Sequence, residues 1–123
     1  MMSPKLLNAL DNFRDLLERP IYVSPAPGAT YRSDSSTSMH SFGKAVDIFP
    51  KCDMFQAFTN VLQVPDIMGI GLYPHWRYGK LNWGMHIDVR EAVDKVIWWQ
   101  NKDKEYFTIY TMQGFQRCID EYC

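Results

Sequence analysis

Two histidines and an aspartate carry the side-chain chemistry that holds metal ions. His40 and Asp47 lie seven positions apart in STSMHSFGKAVDIFP (36–50), across Gly43, and His86 stands in GMHIDVR (84–90). Imidazole nitrogen and carboxylate oxygen suit Zn²⁺, and three protein ligands leave a fourth tetrahedral position open, as catalytic zinc sites do. An ion so held acidifies its water and polarises a carbonyl, the chemistry of amide hydrolysis. Spacing alone leaves an ordinary alternative open: His40 caps a turn, Asp47 bonds to loop backbone, and His86 is a hydrogen-bonded residue at the core edge.

For these residues to meet, the elements that carry them must put them on one surface. Strand side chains alternate between faces. In MHIDVR, Met85, Ile87 and Val89 then share one face, and His86, Asp88 and Arg90 the other. In KAVDIF (44–49), Val46 and Ile48 point one way and Asp47 the other, with Ala45 and Phe49. If both strands belong to one sheet with their apolar faces on one core, Asp47 and His86 emerge on the same side. His40, ahead of the Gly43 turn, can lean over that side as the third ligand.

The remaining elements follow from local pattern. Ser3 and Pro4 open a helix in which Leu6, Leu7, Leu10, Phe13, Leu16 and Leu17 recur at helical spacing until Pro20. IYV (21–23) reads as a strand, and SPAPGATYRSDSST after it as a surface loop. Asp53 caps a buried helix over 53–63; GIGLYP (69–74) is a third strand candidate and GMHIDVR a fourth. VIWWQNKDKEYFTIY reads as two strands around a polar NKDK turn, and a closing helix starts near Gln113. Strands and helices mix without regular βαβ alternation, which predicts an α+β domain with a small, mostly antiparallel sheet.

The 123 residues fit a single domain, 1–123. Thirteen basic against fourteen acidic residues argue against nucleic acid or an anionic membrane as partner. The N-terminal stretch is interrupted by Asp11, Arg14, Asp15, Glu18 and Arg19, so it reads as neither a signal peptide nor a membrane span. Cys52, Cys118 and Cys123 form no C-x-x-C pair and read as reduced thiols.

YRSDSSTSMHSFGKAVDI, GIGLYPHW and WGMHIDVR together resemble the zinc D,D-peptidase family of D-Ala-D-Ala carboxypeptidases and phage peptidoglycan peptidases, whose fold is shared with the hedgehog signalling domain. The likeness covers about residues 20 to 90 and is specific at S-x-H-x-x-G-x-A-x-D and H-x-D-x-R. It implies a hedgehog/DD-peptidase-like fold with helices on one sheet face and a metal site on the other. It implies Zn²⁺ as cofactor, held by His40, Asp47 and His86, and a peptidoglycan peptide as substrate. Arg32 in YRS matches the family arginine that pairs with substrate, as a guanidinium fork suits a terminal carboxylate. Ser38 matches a serine that bonds near substrate, and Gly43 and Ala45 match small positions. Arg32 as a solvated loop charge and Ser38 as a turn hydroxyl are the plainer readings.

Asp88 reads as an acceptor that orients a ligand imidazole, or as a partner for Arg90. The family's usual acid two or three positions before the second metal histidine is missing, because Trp83 and Gly84 stand there. His75 in YPHW and Asp88 are the substitutes for proton transfer, and an ordinary loop histidine is the plainer reading of His75. Tyr73, Trp76, Tyr78, Trp83, Trp98 and Trp99 are candidates for an aromatic groove wall, with Tyr73 and Trp83 as substrate contacts. Trp98 and Trp99 are adjacent on a strand, so both cannot face the groove.

The sequence thus predicts a monomeric zinc peptidase acting on peptidoglycan peptides, cytoplasmic until released or carried in a virion if phage-encoded. A metal-stabilised wall-binding or virion structural domain without efficient turnover is the second reading. A non-metal domain whose aromatic groove binds extended peptide is the third.

Overall fold

The computed structural model describes residues 2–25 and 43–123. Helix α1 (Pro4–Leu17) starts where Ser3 accepts the Leu6 amide through its hydroxyl, and ends at Glu18, which takes a left-handed conformation. Its buried stripe is Leu6, Ala9, Phe13 and Leu17. Leu7 and Leu16, which fit the leucine periodicity equally well, are exposed. Strands β1 (Ile21–Val23) and β2 (Ala45–Pro50) lead to α2 (Met54–Val61), capped by the Asp53 carboxylate on the Gln56 amide and shorter than its apolar run suggests. Then come β3 (Gly69–Tyr73), β4 (Gly84–Asp88), β5 (Val96–Gln100), β6 (Tyr106–Thr108) and α3 (Met112–Tyr122).

The strands form one sheet in the order β1-β2-β4-β3-β5-β6. All neighbours run antiparallel except β3 and β5. The fold is therefore α+β with a mostly antiparallel sheet. Val46, Ile48, Ile70, Leu72, Met85, Ile87 and Trp99 project from one face into a core shared with Leu6 and Phe13 of α1, Met54 and Val61 of α2, and Phe115 and Cys118 of α3. No helix among the described residues is long and apolar enough to cross a membrane.

Strand order decides what meets on the opposite face. β4 lies between β2 and β3, and its His86 is in register with Asp47 on one side and Gly71 on the other. Gly71 is in turn in register with Trp98 of β5. One row across four strands thus reads Asp47, His86, Gly71, Trp98. Glycines recur on this face because large groups lie over them. A Cβ on Gly69 would run into the Asp88 carboxylate, one on Gly71 would stand 2.6 Å from the Trp98 indole, and one on Gly84 2.6 Å from the Trp76 ring.

Candidate metal centre

Asp47 and His86 are both nearly buried, on the sheet face opposite the core. His86 Nδ1 lies 3.3 Å from Asp47 Oδ1, and His86 Nε2 lies 2.7 Å from Asp88 Oδ2. The two contacts differ in kind. The second is a short, strong hydrogen bond, whereas 3.3 Å is long for N–H···O. Two donors each about 2.0–2.1 Å from a tetrahedral zinc stand about 3.3–3.4 Å apart. The Asp47–His86 separation is compatible with two ligands sharing one ion, so these two residues fit the expected group, and it is equally that of a His–Asp ion pair. The Asp88 bond is the complementary feature: a carboxylate that accepts from Nε2 leaves Nδ1 directed at Asp47.

Electrostatics point the same way. Burial alone would drive the His86 imidazole toward its neutral form, but hydrogen bonds and charge from Asp47 and Asp88 outweigh it and raise its pKa above the usual value. Two carboxylates around one imidazole make a pocket that favours a cation. Asp88 is balanced separately. Its burial opposes ionisation, yet Arg90 grips it with Nε at 2.8 Å from Oδ1 and Nη2 at 2.7 Å from Oδ2. With His86 added, its carboxyl is held well below the usual carboxylate range. Asp88 therefore orients the imidazole and pairs with Arg90 at once. That double engagement matches its reading as an acceptor for a ligand imidazole and a partner for Arg90.

The other predicted residues divide. Tyr73 is on the site face; its ring stacks on Trp76 at 3.8 Å and its hydroxyl accepts the Trp98 indole N–H at 3.1 Å. Burial, with smaller effects from its neighbours, raises its pKa and keeps it a phenol. Trp83 is not in a groove: it is 2% exposed, sits in the core against Tyr122, and donates its indole N–H to the Cys52 carbonyl at 2.8 Å. Its parity explains the correction, since 83 falls with the core residues Met85 and Ile87. His75 Nε2 lies 2.8 Å from Glu121 Oε1 on α3, the helix that packs on the core face. That contact ties the β3–β4 connection to α3, in keeping with the plainer reading of His75 as a loop histidine. Trp99 is in the core, stacked on Phe107, and Trp98 faces the site, as adjacent strand residues must divide.

Arg32, Ser38 and His40 lie outside the described residues. Among the described residues no group of three His, Cys, Asp or Glu side chains is placed to hold a metal. Two of the three expected ligands meet, and His40 is the expected third. Gly69 and Gly71 also lie on this face. Their signal was the alternation in GIGLY, where small residues fall on the face that carries His86 and apolar ones on the core face.

Comparison of the chain with protein-family profiles, with curated proteins and with solved structures finds no match.

Proposed function

We propose that the chain is a zinc-dependent peptidase of peptidoglycan peptides, a D-Ala-D-Ala carboxypeptidase or an endopeptidase. The observation that carries this reading is the 3.3 Å approach of His86 Nδ1 to Asp47 Oδ1, with Nε2 engaged by Asp88. Asp47, His86 and His40 would hold the ion, which when bound supplies a Lewis acid and an acidified water for attack on an amide. The chain's own residues do the rest. Asp88 fixes the imidazole tautomer, and Arg90 keeps Asp88 ionised. Arg32 would pair with the substrate's terminal carboxylate and Ser38 would hydrogen-bond near substrate. Tyr73, nearly buried, stacks on the half-buried Trp76 beside the site, and its hydroxyl accepts from the Trp98 indole.

A specific observation favours a second reading, a metal-stabilised wall-binding or virion domain of the same architecture with weak turnover. Trp83 is in the core, Gly84 has no side chain, Asp88 is locked by Arg90 and His75 is bonded to Glu121. One experiment separates the two. Purified protein supplied with zinc is incubated with muropeptides ending in D-Ala-D-Ala and with cross-linked dimers. Cleavage that stops on chelation, and that His86→Ala abolishes, supports the peptidase. Stoichiometric zinc without cleavage of either substrate supports the binding domain.

A further inference from the structure

The row Asp47, His86, Gly71, Trp98 contains one position without a side chain, and the indole fills it. Trp98 belongs to β5, two strands away from His86, and neighbouring strands stand about 4.8 Å apart. Yet the Trp98 and His86 rings lie with centroids 5.2 Å apart, because the indole leans across Gly71 instead of standing above its own strand. A Cβ at Gly71 would meet Trp98 Nε1 at 2.6 Å and Cε2 at 2.7 Å. The lean is fixed at two other points: the indole N–H donates to the Tyr73 hydroxyl at 3.1 Å, and the Arg90 guanidinium lies 5.4 Å from the ring centroid.

From this we infer that Trp98, admitted by Gly71, is the positioning residue of the metal centre, setting the plane of the His86 imidazole. The inference rests on the zinc reading of Asp47 and His86. Asp88 engages one edge of the ring at Nε2 and Asp47 faces the other at Nδ1, both in-plane contacts. The indole, tilted 50° to the imidazole, adds a restraint from outside that plane and limits its rotation, so Nδ1 stays directed at Asp47. Trp98 also contacts Arg90, the residue that grips Asp88, so one side chain braces both the ligand and the group that orients it. Trp98 need not touch metal or substrate to do this. Its place is comparable to other outer groups around metal ligands, whose loss typically costs about 10–100-fold in metal affinity.

The test is zinc affinity of the folded protein by isothermal titration calorimetry, for wild type, Trp98→Phe, Gly71→Ala, Trp98→Ala and the double variant Gly71→Ala/Trp98→Ala, each checked for folding by circular dichroism. Trp98→Phe keeps a ring but loses the bond to Tyr73, and Gly71→Ala keeps the indole but pushes it aside. Each is expected to weaken zinc binding by about 10-fold or more. Gly71→Ala acts only by displacing the indole, so in the Trp98→Ala background it should add almost nothing. A purely structural role would lower the melting temperature of the variants and leave zinc affinity of the folded protein unchanged, and that result overturns the inference. So does full additivity of the two changes. Wild type that takes up no zinc overturns instead the functional reading on which the inference stands.

Discussion

Asp47 and His86 face each other across adjacent antiparallel strands, in register, with side-chain atoms 3.3 Å apart and both side chains about nine-tenths buried. They share a sheet face with Asp88, Gly69, Gly71 and the Trp98 indole, and the proposed cation would lie between them. The helices fill the other face.

Zinc should stabilise the fold. An ion that binds only the native state at a hundred times its Kd adds about 2.7 kcal/mol, which for a domain of this size raises the melting temperature by roughly 10 °C. Differential scanning fluorimetry with zinc, then with excess chelator, reads this directly. Asp47→Ala and His86→Ala should show no zinc-dependent shift. An unchanged melting temperature in wild type would favour the non-metal peptide-binding reading.

Asp88→Asn should damage both stability and metal affinity. The carboxylate is fully buried and holds two Arg90 bonds as well as the His86 bond, and the Arg90 side chain is only 29% exposed. Removing one partner strands the other, at a cost of about 3 kcal/mol in urea denaturation. Zinc affinity should fall about 10–100-fold, because an amide offering its N–H to Nε2 reverses the tautomer that Asp88 selects. Full stability with full zinc affinity would show that Asp88 neither orients His86 nor balances Arg90.

Alkaline pH should destabilise the fold through buried thiols. Burial, with Glu121 nearby, pushes the Cys118 thiol up to about 12, and burial with Asp53 pushes Cys52 up to about 11, against 9.0 for an unperturbed thiol. The folded chain holds these protons more tightly than the unfolded one. Their stabilising effect is therefore complete below about 9 and is lost as pH rises through 11 and 12. The urea midpoint should drop between pH 7.5 and 10.5, with about 1–2 kcal/mol of the loss due to Cys118. Cys118→Ala should flatten the slope; an identical slope in the two proteins would contradict the assignment.

The site half that rests on strands was legible in the sequence for a physical reason. Alternation in KAVDIF and MHIDVR fixes which side chains share a face, and antiparallel pairing of β2 with β4 carries that relation into space. Alternation also divides Trp98 from Trp99 and, applied one residue earlier, assigns Trp83 to the core. What local pattern does not contain is strand order. Trp98 reaches His86 only because β3 lies between β4 and β5 and offers Gly71 at the crossing, a relation among residues from three separate strands. The His75–Glu121 bond spans 46 positions and depends on where α3 lands. Likewise the true stripe of α1 is set by the core it meets, which takes Ala9 and leaves Leu7 and Leu16 outside.

Anomalous scattering at the zinc edge, from crystals grown with zinc, tests the central claim most directly. The account predicts one strong peak within coordination distance of His86 Nδ1 and an Asp47 carboxylate oxygen, with His40 as the third protein donor. A zinc-soaked crystal with no peak between Asp47 and His86, or with the ion bound elsewhere on the chain, would contradict it.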